Sequence, residues 1–147
     1  MIFEQIYKNK KVLITGHTGF KGSWLALWLN YLGAKVSGIS NEIPTDPSNF
    51  IASEIISKVD DLRFDISNKL KVLEAIKSIQ PDFIFNLAAQ PLVIKSYNDP
   101  YQTVFTNAIG TINILDAVKL LDRLLYMLMV LLLSEKTMPK LNDQQLP

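Results

Sequence analysis

An α/β fold with a doubly wound parallel sheet is predicted by three observations. Short apolar runs suited to strands alternate with stretches of helical period through the first 121 residues. One of these runs, Phe83-Ile84-Phe85, is continuously apolar, as a strand covered on both faces requires. The first strand passes through a glycine-rich turn directly into a helix: Val12-Leu13-Ile14-Thr15-Gly16-His17-Thr18-Gly19-Phe20-Lys21-Gly22-Ser23-Trp24-Leu25.

Lys11 to Thr15 reads as a buried strand behind the polar Lys8-Asn9-Lys10. Phe20 to Leu32 reads as a helix, with Trp24, Leu27, Trp28 and Tyr31 or Leu32 at spacings of three and four, and Trp24 and Trp28 are expected to pack it on the sheet. Gly33 suits the position just past its end. Lys35 to Ser40 is a second strand, completing a β-α-β unit. Pro44, Asp46 and Pro47 make Asn41 to Asn49 a loop, followed by a short helix at Ile51 to Ser57 and a third strand at Lys58 to Phe64. A helix is expected over Lys69 to Ile79, capped by Ser67, with Leu70, Leu73, Ile76 and Ile79 on its apolar face. Pro81 ends it, and Asp82 to Leu87 is the fourth strand. Pro91 to Pro100 reads as loop or short helix. Tyr101 to about Leu121 reads as a long helix, with Val104, Ala108, Ile112, Leu115 and Val118 along one side.

Composition narrows the class. A chain of 147 residues with 48% hydrophobic and 20% charged residues suits one globular domain. A formal charge of +1 argues against a nucleic-acid binder. With no cysteine and one histidine, disulfides, thiolate metal sites and histidine clusters are excluded, so no metal is expected. The start, Met1-Ile2-Phe3-Glu4-Gln5-Ile6-Tyr7, lacks the pattern of a signal peptide. The apolar run Leu124 to Leu133 is too short to span a bilayer. A soluble, cytoplasmic protein with no membrane partner is expected.

The glycine turn carries the chemistry. Glycines at 16, 19 and 22 let a phosphate approach the backbone, and the helix that follows aims N–H groups and a positive dipole end at it. Gly16, Thr18, Gly19, Phe20, Lys21 and Gly22 would line the turn of a Rossmann-like dinucleotide site. The end of the second strand should meet the adenosine ribose. There, in Ser40-Asn41-Glu42, Glu42 either reaches the ribose diol or is an exposed loop residue. No arginine is seen there to meet a 2′-phosphate, which favours NAD over NADP. Asp65-Ile66 either frames the adenine amino group or caps a helix. The small residues in Leu87-Ala88-Ala89-Gln90, after Asn86, either let a cofactor lie close or allow tight helix packing. The lone His17 reads as structural.

These residues together resemble the extended short-chain dehydrogenase/reductase superfamily and, within it, the CDP-glucose 4,6-dehydratase family. The likeness rests on Gly16 to Leu25, on Pro44-Thr45-Asp46-Pro47-Ser48-Asn49-Phe50 and on Asp65-Ile66. It continues in Ala88-Ala89-Gln90-Pro91-Leu92-Val93, Ser96-Tyr97, Pro100, Thr106-Asn107 and Gly110-Thr111, so that it covers about residues 9 to 121. Asn86 stands where a histidine is common in that family. The resemblance implies NAD as cofactor, with Asn107 among the residues near it. It also implies a nucleotide-sugar substrate, CDP-glucose, a homodimer built through helices like that from Tyr101, and a net dehydration serving bacterial surface polysaccharide (O-antigen) synthesis. A catalytically silent dinucleotide-binding module and a related epimerase are the competing readings.

The family's catalytic signatures, Thr-Ser-Asp-Lys and a Tyr-x-x-x-Lys pair, do not occur in the second half of this chain. Tyr97, Tyr101 and Tyr126 are followed four residues on by Tyr101, Phe105 and Val130. No residue is therefore assigned as catalytic. Past Asp122 the sequence turns rich in leucine and methionine, with three of the four methionines between Met127 and Met138. A fifth strand is expected in this region, and Leu128 to Leu133 suits a strand or a helix equally. The expected organisation is an NAD-binding domain over 1–123, truncated after about the fourth strand and its following helix. An aberrant segment over 124–147, of a kind that a shifted reading frame would produce, completes it.

Overall fold

A computed structural model describes residues 6–120 and 126–129. Five parallel strands form one sheet in the order β3-β2-β1-β4-β5. They are β1 (Lys11–Thr15), β2 (Lys35–Ser40), β3 (Asp60–Arg63), β4 (Phe83–Asn86) and β5 (Tyr126–Met129). The helices are α1 (Phe20–Tyr31), α2 (Asn49–Ala52), α3 (Lys69–Ile79), α4 (Val93–Asn98), α5 (Pro100–Val104) and α6 (Gly110–Lys119), with a 3₁₀ turn at Ile55–Ser57 and a π turn at Phe105–Ile109. The doubly wound parallel sheet is therefore as expected. The chain order reverses direction at β1, between β2 and β4, which opens a crevice at the strands' carboxyl ends.

The period of two along β1 divides the core. Val12 and Ile14 face Ala26, Leu29, Phe50, Ile55 and Phe85. Leu13 faces the other way, toward Ile39, Ile76, Ile84, Ile114 and Ala117. Leu13, Ile14, Ile39 and Ile84 are fully buried, and each such side chain contributes about 1.5–3 kcal/mol of hydrophobic stabilisation.

Three helix faces differ from the sequence reading. In α1 the buried residues are Gly22, Ser23, Ala26 and Leu29, whereas Trp24 and Trp28 are 52% and 48% exposed. A helix that springs from a glycine turn starts hard against the sheet, so small residues take the inner face and the large aromatics are displaced outward. In α3 the cap is Asn68, whose side chain accepts from the Lys71 amide at 3.1 Å, and Ser67 does not serve. Val72, Ala75 and Ile76 are buried there, while Leu70 is exposed. The long helix after Pro100 is divided by the π turn, which rotates the buried face to Gly110, Asn113, Ile114 and Ala117. Val104, Ile112 and Leu115 are left exposed.

Backbone pairing of Phe83 with Tyr126 through Asn86 with Met129 joins β5 to β4. The fifth strand thus overlaps the start of the stretch in which strand and helix were both open. Residues 130–147, with the rest of the Leu/Met-rich segment, lie outside the described residues.

Candidate functional site

The turn after β1 is built almost entirely from backbone. Gly16 adopts φ +74°, a conformation that favours glycine. Its amide donates to the Ile39 carbonyl at 2.7 Å, and the Gly19 amide donates to the Gly16 carbonyl at 3.1 Å. A Cβ at Gly16 would stand 2.8 Å from the Ala88 amide nitrogen, so the chain leaving β4 lies directly against the turn. A Cβ at Gly22 would stand 2.1 Å from the Gly16 carbonyl oxygen. Gly19 occupies the N-cap of α1 and brings no side-chain hydrogen bond to it. First-turn amides of a helix lack intrahelical acceptors, and here no side chain caps them. A cradle free of Cβ atoms beneath an uncapped helix N-terminus fits a pyrophosphate. Phe20 and Lys21 sit on that first helical turn with exposed side chains.

The exit from β4 is fastened to the turn by a buried hydroxyl. Thr15 Oγ1 donates to Asn86 Oδ1 and accepts from the Leu87 and Ala88 amides, each at 3.1 Å. Asn86 Nδ2 in turn donates to Thr111 Oγ1 at 3.2 Å. Leu87 packs on the α1 side of the sheet and Ala88 on the α3 side, with Ala89 exposed between them and Gln90. Asn107, presented by the π turn, clamps Gln90. Its Oδ1 accepts from the Gln90 amide at 2.7 Å and its Nδ2 donates to the Gln90 carbonyl at 3.3 Å. Asn107 therefore holds the loop at this edge rather than standing free.

On the other side of the turn, side chains make the contacts. The Thr18 amide donates to Ser40 Oγ at 3.3 Å, and the Thr18 hydroxyl donates to the Glu42 carbonyl at 2.6 Å. Ser40 Oγ lies 2.9 Å from His17 Nδ1, and His17 Nε2 lies 2.9 Å from Asp61 Oδ1. The His17 ring is fully buried, edge-on to Phe50, in the space left by the missing Cβ of Gly38. Burial lowers the His17 pKa below 6.5, although neighbouring Asp61 opposes the shift. A neutral ring satisfies both bonds, with Nε2–H donating to Asp61 and Nδ1 accepting from the Ser40 hydroxyl. His17 is thus a structural strut, as its sequence position suggested. The Glu42 side chain is exposed.

Asp65 accepts from the Ser67 amide at 2.8 Å through Oδ1, the local turn-forming role. Ile66 is buried against Gly110. Both lie just past β3, beside Ser40 at the end of β2.

An arginine does stand at this edge, contrary to the sequence reading. Arg63 is the register partner of Ser40 across the β2–β3 pair. Its Nε and a terminal nitrogen donate to Asp61 Oδ2 at 3.0 and 2.9 Å, and its guanidinium lies 5.3 Å from the Phe50 ring centre. Only sheet register brings positions 40 and 63 together, so linear sequence hides the pair. Thr15 and Asp61 were also missed. A hydroxyl at the last position of a buried strand, immediately before the first glycine, was the available signal for Thr15.

Residues 13–130 match the family model described as GDP-mannose 4,6 dehydratase. The chain belongs to this family. It is 42% identical over 119 residues to a CDP-glucose 4,6-dehydratase of Salmonella typhimurium, covering 81% of this chain and 33% of that protein. Among solved structures, an epimerase of Methanothermobacter thermautotrophicus superposes with TM-score 0.70 at 26% identity, over 83% of this chain and 35% of that one. A UDP-glucose 4-epimerase of Thermus thermophilus, solved as its complex with NAD, superposes with TM-score 0.65 at 30% identity, over 74% and 33% of the two chains. The chain spans about a third of the length of the curated 4,6-dehydratases it matches. No helix among the described residues is long and apolar enough to cross a membrane.

Proposed function

We propose that this chain is the NAD-binding part of a cytoplasmic nucleotide-sugar 4,6-dehydratase whose substrate is CDP-glucose. The observation that carries the reading is the cradle itself. At Gly16 and Gly22 a Cβ would stand within 3 Å of main-chain atoms of Ala88 and of Gly16, so only glycine lets the turn close this tightly beneath the uncapped N-terminus of α1. The choice of CDP-glucose rests on the 42% identity to the Salmonella enzyme.

In this reading the uncapped first-turn amides of Phe20, Lys21 and Gly22 receive the pyrophosphate, beside the turn that Gly16, Thr18 and Gly19 shape with their own amides bonded internally. Ser40 borders the ribose, Asp65 and Ile66 border the adenine, and Leu87 to Gln90, steadied by Asn107, border the nicotinamide half. NAD supplies a hydride acceptor that ends the cycle oxidised, as a net dehydration requires. This chain's residues hold and orient the cofactor. With no Tyr-x-x-x-Lys pair in its second half, the chain alone leaves CDP-glucose unchanged. The exposed Tyr101, Val104, Ile112 and Leu115 support a homodimer through α5 and α6.

Titration calorimetry of the purified chain with NAD tests the cofactor reading, and saturable one-to-one binding is expected. Incubation with CDP-glucose and NAD should yield no 4-keto product; turnover would show that catalytic groups other than that pair are present.

A further inference from the structure

Arg63 is placed where it could serve a 2′-phosphate, and it is held out of use. It faces Ser40 across the β2–β3 register, on the sheet face shared by His17, Phe50 and Asp61. Two of its nitrogens donate to Asp61 Oδ2, its Nε also lies 2.8 Å from Oδ1, and its flat guanidinium rests on Phe50. Asp61 cannot follow Arg63 outward, because its Oδ1 accepts from the fully buried His17 ring at 2.9 Å. The carboxylate is thus pinned from below and pins Arg63 from the side.

We propose that Asp61 is a specificity-determining residue that selects NAD against its 2′-phosphorylated counterpart. The inference rests on the NAD-site reading above and extends it to the ribose 2′ position. Two effects act together. Asp61 occupies the donors with which Arg63 would clamp a phosphate, an arrangement guanidinium groups favour. It also presents a like charge to that phosphate, which penalises the wrong ligand as much as any contact rewards the right one. An exposed arginine–carboxylate pair is weak by itself; the anchor on His17 is what keeps Asp61 from yielding when a phosphate competes for Arg63.

The test is calorimetric titration of the full chain with NAD and, separately, NADP. Asp61→Asn keeps an oxygen for His17 and removes the charge. It should tighten NADP binding by about tenfold or more while moving NAD by less than about threefold. Adding Arg63→Gln to that variant should take the gain back. Arg63→Gln in the wild-type chain should leave both affinities within about twofold, since Arg63 is not in service there. This second variant lies at a partly exposed position, so it decides the matter even if Asp61→Asn fails to fold by circular dichroism. A folded Asp61→Asn that binds NAD normally and gains nothing for NADP would overturn the inference. So would a wild-type chain that binds NADP as tightly as NAD, or one whose NADP affinity drops with Arg63→Gln alone. A wild-type chain that binds neither dinucleotide instead overturns the NAD-site reading, and this inference with it.

Discussion

The two sides of the cradle are held by different means. From Gly16 to Gly22 the shape is set by backbone against backbone, with Cβ positions at those two glycines that would fall 2.1 to 2.9 Å from main-chain atoms. From Ser40 to Asp61 it is set by side chains, a hydroxyl, an imidazole and a carboxylate in one hydrogen-bonded row, against whose outer end Arg63 rests. A backbone-made surface has no rotamer to adjust, so it accepts no added atom. A side-chain row tolerates exchange of its members, but it carries charge and therefore depends on pH. Substitution should hurt the first side most and tune the second.

The largest expected effect is at Gly22. A methyl group there meets the Gly16 carbonyl and the His17 Cα, neither of which can swing aside. The helix must then move off the turn. Gly22→Ala should lose about 3 kcal/mol or more of stability, at the upper end for overpacked sites, and should abolish NAD binding. Urea unfolding and calorimetry check the two parts. Retained NAD affinity in a folded Gly22→Ala would break the distinction drawn between the two sides.

Thr15 comes next, at the seam between β1 and β4. Thr15→Val keeps the shape and leaves the Ala88 amide and Asn86 Oδ1 without their partner, while the Leu87 amide keeps the Thr15 carbonyl. Stranding part-buried polar groups costs about 1–3 kcal/mol. Thr15→Ser restores the hydroxyl and should recover most of the loss, which a chemical-denaturation series would read directly. If serine and valine are equally destabilising, the methyl group and not the hydroxyl carries the effect.

How much of this was legible in the sequence depends on the range of the contact. The glycine turn, β1 and β2 lie within one β-α-β unit, and local pattern located them to the residue. The doubly wound sheet followed from alternation. Helix faces were less legible, because hydrophobic spacing marks a stripe without saying what must fit beneath it. Beneath α1 there is room for Gly22, Ser23 and Ala26, so Trp24 and Trp28 turn outward. The π turn at Phe105–Ile109 shifted the register of α6 in the same way, since no residue there announces an extra-wide turn. Asn107 was named near the cofactor and is found clamping Gln90. The row of Ser40, His17, Asp61 and Arg63 was not legible at all, because three separate segments converge only once the sheet has formed.

That row also sets the smallest expected effect, a matter of pH. His17 is held neutral in the fold because burial lowers its pKa below 6.5, against the pull of Asp61. The unfolded chain takes up a proton near the ordinary value, so below it the unfolded state binds more protons than the fold does. The contribution of His17 is therefore complete above the unfolded pKa and is lost as pH falls through it toward the lower, folded pKa. His17→Gln removes the titration while its amide can still accept from Ser40 and donate to Asp61. The wild-type Tm should fall more than the variant's between about pH 7.5 and about pH 5, whatever their offset at the upper end. Carboxylates elsewhere titrate in both proteins alike, so the difference between the two slopes isolates the histidine. Parallel slopes would mean that the buried ring accepts its proton without loss. Asp61 would then be compensating the charge fully, and the side-chain half of the cradle would be as indifferent to pH as the backbone half.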